Sequence, residues 1–306
     1  MQRILSRGEI ETLDHNQFPL TIIPNIDTLF SYRASRFQKL VQDNIFSDYL
    51  SLMIKLSEAQ HIVLNQLNRQ KIGIIPDNHY SVPPCEISIW NRHFYWINIQ
   101  NSILNIIMYE SANIPNLVID TCKNLKRLIQ NDLKKFNDIA DSLLIQGNGN
   151  INKDFAAAAP LIMAALQVYW VSLLSNFKPN QLPISRSILC PFCGSLPIGS
   201  VIRIGGNMDN HRYLSCSLCS TEWHLVRVKC SNCESTKSIN YSFIEKKSEW
   251  IKAESCNQCY TYRKIFLQEK DPYVDPIADD LSSISLDILM NDDGYTRSSN
   301  NPFLYI

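Results

Sequence analysis

Eight of the ten cysteines in this 306-residue chain stand in four C-x-x-C pairs, Cys190/Cys193, Cys216/Cys219, Cys230/Cys233 and Cys256/Cys259. Two intervening residues form a tight knuckle in which both thiolates face one ion, and two such knuckles complete a tetrahedral four-sulfur site. The first and third pairs are offset by 40 residues, as are the second and fourth, so C-x2-C-x22-C-x2-C is written twice. That duplication favours pairing within each repeat. Only ten residues separate Cys219 from Cys230, however, so the two middle pairs could instead form one site and the outer pairs the other. Eight thiolates supply two metal ions with no remainder, and four-thiolate sites suit zinc and iron alike.

Other chemistries fit these cysteines less well. The first twenty residues carry Arg3, Arg7, Glu9, Glu11 and Asp14 without an apolar stretch of the kind a secretion leader needs, so a cytoplasmic location is expected and structural disulfides are disfavoured. A thioredoxin-like pair wants one C-x-x-C opening a helix after a strand, a context these pairs lack. Only the first knuckle has glycine, Gly194, after its second cysteine; Ser220, Glu234 and Tyr260 occupy the equivalent positions, which predicts turns that are either looser or more strained there. Cys85 and Cys122 lie apart from the repeats and read as core residues. His211 and His224 flank the second knuckle, but with both sites already full they read as packing residues. Trp223 and Trp250 read as covers for the sites or their strands.

The elements around the knuckles are short. Val201 to Ile204 and Arg212 to Leu214 in the first repeat, and Ile239 to Phe243 and Trp250 to Ala253 in the second, are strand-like, with a turn at Gly205–Gly206. His224, Val226 and Val228 alternate with Trp223 and Leu225 as a further strand. Each repeat therefore reads as a rubredoxin-like or zinc-ribbon unit. Asp275–Pro276 opens a last helix with Leu281, Ile284 and Ile288 on one face, closed near Gly294, and 298–306 is extended.

Before residue 186 the apolar spacing is helical. Residues 27–67 give two helices broken at Asn44 to Ser47, with Leu29, Phe37, Leu40 and Val41 inward on the first and Asp27 or Asn25 capping it. Asp48 opens the second, whose inward residues are Phe46, Tyr49, Leu50, Met53 and Leu56. A loop over Gly73 to Pro84 precedes a helix from Trp90 to Glu110. Pro115 then starts a Lys-rich helix through Leu143, ended by Gly147 and Gly149. Phe155 to Leu174 carries no charge over twenty residues, yet Pro160, Gln167 and Ser172 argue for a buried core helix rather than a membrane span. Ser175 to Ser187 has linker composition. The expected class is α+β: a helical domain over 1–185, two tandem small β units over 186–228 and 229–270, and an acidic helix and tail over 271–306.

Composition excludes several function classes. The hydrophobic fraction is 45% and the charged fraction 19%, ordinary for a globular chain. The 29 basic and 29 acidic residues balance, distributed as +1 before residue 186, +5 over 186–270 and −6 afterwards. A nucleic-acid-binding ribbon is usually strongly basic; here the acidic tail is expected to fold back onto the mildly basic segment. The chain shows no nucleotide-binding glycine loop and no Ser/His/Asp order with an elbow. Both four-cysteine sites are closed, so no catalytic residues are assigned.

The stretches Cys-Pro-Phe-Cys-Gly-Ser (190–195), Arg-Tyr-Leu-Ser-Cys-Ser-Leu-Cys with Thr-Glu-Trp-His (212–224), Lys-Cys-Ser-Asn-Cys-Glu (229–234) and Lys-Ala-Glu-Ser-Cys (252–256) resemble the formate dehydrogenase accessory protein FdhE family. So do Glu-Lys-Asp-Pro (269–272), Ala-Asp-Asp-Leu (278–281), Gly-Tyr-Thr-Arg (294–297), Asn-Pro-Phe-Leu (301–304), Ile-Pro-Asn-Ile (23–26), Tyr-Arg-Ala-Ser-Arg (32–36) and Asp-Tyr-Leu (48–50). Departures are Tyr260, where the family has glycine, and an Asn/Ile-rich drift over 86–154. The resemblance implies a cytoplasmic assembly factor, not an enzyme, that binds the catalytic subunit of respiratory formate dehydrogenase. It also places rubredoxin-type iron ahead of zinc. The alternatives are a small redox protein acting on a client, which a redox-active metal would support, and a zinc-ribbon nucleic-acid binder.

Overall fold

The computed structural model describes residues 18–67, 82–109, 114–145, 155–183, 188–245 and 248–304. Most of the expected loop at Gly73 to Pro84, the Gly147/Gly149 stop and the last residues of the Ser175–Ser187 linker lie outside them. The class is α+β, with helices first and a sheet with two short helices after.

Helices α1 (Leu29–Leu40) and α2 (Ser47–Leu67) pair as expected, but α1 turns a different face inward. Phe30, Ala34 and Phe37 are buried together with Arg33 and Arg36, while Leu29, Leu40 and Val41 only border the core. Thr28 occupies the cap position with no side-chain bond, and Asn25 instead accepts from the Asp27 amide. Helix α3 (Tyr95–Tyr109) starts five residues later than expected. Trp90 belongs to the preceding segment and donates to the Tyr169 hydroxyl at 3.2 Å. The Lys-rich stretch is two helices, α4 (Asn116–Asn131) and α5 (Leu133–Ile145), because Asp132 leaves helical geometry and its carboxylate accepts from the Lys135 amide at 2.9 Å. An aspartate so placed caps the next helix instead of continuing the last. The uncharged helix α6 (Ala159–Leu174) is buried along its whole length, Gln167 included, against α2 and α3. Among the described residues no helix is long and apolar enough to cross a membrane.

Among the described residues one eight-stranded sheet forms, seven of its strands from the second half and one from the segment before the first helix. Strands β1 (Thr21–Ile22), β2 (Pro197–Ile202), β3 (Arg212–Cys216), β4 (Glu222–His224), β5 (Ile239–Ser242), β6 (Ile251–Cys256) and β7 (Thr261–Leu267) run in the order β1-β4-β3-β2-β7-β6-β5, and β8 (Thr296–Arg297) lies beside β7. The two repeats are joined by parallel pairing of β2 with β7, Ser200 opposite Ile265 through Ile202 opposite Leu267. The seam has no spare room. A Cβ on Gly199 would sit 2.6 Å from Phe266 Cε2 and 3.0 Å from the Lys264 carbonyl oxygen. Val226 and Val228 are exposed beyond the end of β4, because Arg212 binds the carbonyls of Arg227 and Lys229 and bends the chain out of the ladder.

The acidic tail folds back onto the ribbons, where Asp280 and Asp287 meet Lys264, and also onto the first helix. Helix α7 (Pro276–Ser282), capped by Asp275, packs on α1. There Asp275 pairs with Arg33 at 3.2 Å, and Asp279 and Asp271 each lie 2.6 Å from Arg36. Burial pushes Asp279 up to about 6, against the pull of Arg36 and the Trp250 indole. The expected single helix breaks at Ser283, where the buried Lys264 ammonium takes the Asp280 and Ser283 carbonyls at 3.0 and 3.1 Å. Those carbonyls lie where one helix ends and the next begins, and the ammonium adds a second donor to each. Helix α8 (Ile284–Asp292) consequently faces another way and leaves Ile288 exposed.

Candidate metal centres

The structure groups the cysteines within each repeat, Cys190, Cys193, Cys216 and Cys219 in one cluster and Cys230, Cys233, Cys256 and Cys259 in the other. In the first, Sγ atoms lie 3.5 Å apart for Cys190–Cys219, 3.4 Å for Cys193–Cys216 and 3.7 Å for Cys193–Cys219. In the second the separations are 3.8 Å for Cys230–Cys259 and 3.7 Å for Cys233–Cys256. A tetrahedron with metal–sulfur bonds of about 2.3 Å has edges of roughly 3.8 Å, so both clusters could each hold one ion. The same distances are far beyond a disulfide bond of about 2.05 Å.

All four knuckles close by one turn. The residue after the second cysteine takes positive φ in each, 73° at Gly194, 58° at Ser220, 63° at Glu234 and 53° at Tyr260. The amides of Gly194, Glu234 and Tyr260 return to the carbonyls of Cys190, Cys230 and Cys256 at 2.9, 3.1 and 2.8 Å. Strain at the three non-glycine positions is therefore present. Backbone amides also face sulfur. Leu218 and Cys219 donate to Cys216 Sγ at 3.3 and 3.4 Å, and Asn232 and Cys233 donate to Cys230 Sγ at 3.4 and 3.5 Å.

One hydroxyl follows each knuckle at the same position: Ser195, Thr221, Ser235 and Thr261. Three of them lie 3.1–3.3 Å from a cysteine sulfur, and the fourth, Ser235, turns to Lys237. Burial raises the thiol pKa of Cys190 and Cys219, helped by Cys193 and Cys216 in both, while the bond from Cys219 pulls Cys190 the other way. Burial also works against ionisation of Cys193, but donors from three neighbouring thiols and Ser195 pull it well below the usual range. Sulfurs this close cannot all carry charge without a cation among them, which is how thiolate binding of a metal becomes coupled to folding.

The surroundings of the two clusters differ. All four cysteines of the first are fully buried within the main helical core. Cys85 and Ile87 donate backbone amides to the Phe192 and Cys193 carbonyls at 3.1 and 3.0 Å, so the segment before α3 fastens the first knuckle. Gln167 of α6 donates to the Ser217 carbonyl at 2.8 Å, and Arg33 of α1 donates to the Ser220 hydroxyl at 3.2 Å. Gln60 of α2 and Arg33 both bond the Gln167 side-chain oxygen, which ties three helices to the second knuckle. In the second cluster Cys233 is exposed and Cys259 half-buried. Its fastening is Arg263, which donates to the Ser231 hydroxyl at 2.8 Å and also binds the Pro197 carbonyl across the seam. Arg212 crosses the other way, to Glu254 at 2.7 Å.

The comparisons with known proteins follow this layout. Sequence models described as FdhE N-terminal, FdhE central domain and FdhE C-terminal domain match residues 18–186, 189–227 and 228–304. The chain belongs to the FdhE family. It is 38% identical over 293 residues to a protein FdhE homolog of Serratia proteamaculans (strain 568), and 36% identical over 296 residues to one of Yersinia pestis (strain Pestoides F), covering 94% of this chain and 91% of each relative. The crystal structure of the FdhE protein from Pseudomonas aeruginosa superposes with a TM-score of 0.79 at 30% identity, over 94% of this chain and 99% of that one.

For this FdhE family member, sequence reasoning located the sulfurs and missed what holds them. Gln167 stood out only as a polar residue in an uncharged core helix, Arg33 only within a family-like stretch, and Gln60 not at all; their tertiary partners reveal them. The hydroxyl after each knuckle was legible as C-x-x-C-x-Ser/Thr repeated four times. His211 and His224 are packing residues as expected, with the Phe18 ring stacked on His211 at 3.9 Å and tilted against His224 at 4.7 Å between centroids. Trp223 is buried in the main core, but Trp250 donates to Asp279 at 2.7 Å and covers Arg36 instead of a sulfur cluster. Cys122 is plain core, whereas Cys85 abuts the first site through its own amide.

Proposed function

We propose that this FdhE family member is a cytoplasmic maturation factor that binds the catalytic subunit of respiratory formate dehydrogenase and does not itself oxidise formate. The observation that carries the reading is the family match over nearly the whole chain together with two sulfur clusters whose four donors leave no position for a substrate. Each cluster holds one metal ion on its four cysteines, with iron ahead of zinc by resemblance to the family. In this reading the functional segments are a helical domain over 1–185, ribbons over 186–228 and 229–270, and the acidic segment over 271–306. Closed sites of this kind shape a recognition surface or carry an electron; they do not activate water or a carbonyl.

The test is genetic and biochemical. Deleting the gene abolishes respiratory formate oxidation while the catalytic subunit is still synthesised, and the purified partners form a complex at micromolar concentration. Full formate dehydrogenase activity in the deletion strain, or no complex, refutes the reading. Anaerobically prepared protein contains two equivalents of iron plus zinc; one or none refutes the metal assignment.

A further inference from the structure

We propose that the second cysteine cluster is an exchange site, at which the Cys233 thiolate gives way to an incoming sulfur donor, while the first cluster keeps its ion. This rests on the reading of both clusters as metal sites. It goes beyond that reading by dividing labour between two clusters of the same spacing.

Three observations carry it. The first is access. Cys233 is exposed and Cys259 half-buried, whereas Cys190, Cys193, Cys216 and Cys219 are all fully buried. Glu234, Asn257, Gln258 and Tyr260, which surround the second cluster's two turns, are themselves exposed. A sulfur arriving from solvent therefore meets Cys233 first. The second is the hydroxyl after the knuckle. Ser195 lies 3.3 Å from Cys193 Sγ, but its counterpart 40 residues on, Ser235, has its hydroxyl on the Lys237 backbone instead. Cys233 thus lacks the hydroxyl support that its duplicate has. The third is what stays behind. Cys230 and Cys256 are buried, Cys230 Sγ accepts two backbone amides, and Cys259 Sγ lies 3.1 Å from the Thr261 hydroxyl. Three ligands held by burial or by a hydroxyl, and one exposed ligand supported by backbone alone, is the arrangement that allows substitution without loss of the whole site.

The step is a ligand exchange with no change of oxidation state. The incoming thiolate forms a bond to the ion, the bond from the ion to Cys233 Sγ breaks, and Cys233 leaves as a thiolate that takes a proton from water. A partner suited to this site presents a soft sulfur donor on a protruding segment able to reach an exposed knuckle. Burial in the helical core denies the same partner the first cluster.

The experiment uses the full chain loaded with two equivalents of zinc and challenged with glutathione and the chromophoric chelator 4-(2-pyridylazo)resorcinol. One equivalent leaves at least about tenfold faster than the other, since the buried site must open locally before it can react. Timed alkylation with iodoacetamide, mapped by mass spectrometry on the unaltered protein, marks Cys233 first among the eight cysteines and the first cluster last. Cys233→Ser removes the fast equivalent and leaves the slow one. Two ions released at a single rate, or first labelling at Cys190, Cys193, Cys216 or Cys219, overturns this proposal alone. A starting content below two ions overturns the metal reading, and this proposal with it.

Discussion

The two ribbons share a spacing, a turn and a sulfur geometry, and differ in nearly everything around them. The first is sunk in the helical core and bound to α1 and α6 through Arg33 and Gln167; the second has its own small core of Val201, Ile251, Ala253, Tyr262, Phe266, Val274, Leu286 and Met290 and an exposed rim. The local sequence therefore sets the donor geometry, and the surroundings decide how much of the fold depends on it. Burial also determines which copy meets other molecules.

The comparison breaks most visibly at the sulfurs. Metal binding coupled to folding is worth ~10–16 kcal/mol in isolated zinc modules, as much as a whole domain's stability of ~5–15 kcal/mol. Cys216→Ser therefore unfolds both halves, seen as loss of helical circular dichroism and of protease resistance. Cys233→Ser leaves the helical half intact. Equal damage from the two variants erases the distinction between the ribbons.

The next largest effect lies behind the second ribbon, where Asp280 serves both Lys264, at 3.3 Å, and Arg297. Asp280→Asn leaves two buried cations undercompensated and costs about 3–5 kcal/mol at neutral pH in chemical denaturation. Although burial opposes its charge, Arg297 and Lys264 hold the Asp280 carboxyl below its ordinary value of 3.8. A depressed acid contributes stability that is present above that ordinary value and lost as pH falls through the lower folded one. The gap between wild type and variant is accordingly constant above pH ~4 and shrinks below it. A gap that widens in acid contradicts the assignment.

The seam comes third. Gly199→Ala forces a Cβ against Phe266 and the Lys264 carbonyl, so it lowers the unfolding free energy by about 1–3 kcal/mol and loosens the second ribbon before the first in hydrogen exchange. The smallest effect separates two strained turns. Tyr260→Gly relieves a positive φ on an exposed residue and stabilises by up to about 1 kcal/mol. Ser220→Gly gains no net stability in the same thermal melt, because it also removes the hydroxyl that Arg33 donates to.

Much of this layout was legible in the cysteine spacing, which is a local property of the chain. The strand that joins the repeats was not. In β7, Thr-Tyr-Arg-Lys-Ile-Phe-Leu, Arg263 and Lys264 are buried where a strand of this sheet is expected to be apolar, and their partners stand at Ser231, Pro197, Asp280 and Asp287. Arg33 and Arg36 misled in the same way, because a guanidinium on a helix reads as its wet face until a carboxylate over two hundred residues away is known to meet it. Ile288 failed because the break at Ser283 changes the phase of the helix, and that break depends on the Lys264 ammonium.

Those long-range pairs set a timetable for synthesis. Arg33 and Arg36 leave the ribosome at the start of translation, but Asp275 and Asp279, which neutralise them in the core, follow 242 and 243 residues later. Until then Arg33 has only the neutral Gln167 and Ser220 as partners and Arg36 only Asp271, so burying the two guanidiniums costs more than it does in the finished core. A chain cut short before residue 275 lacks two of the three carboxylates that meet these guanidiniums. The acidic segment thus couples the packing of the first helix to residues made late in synthesis.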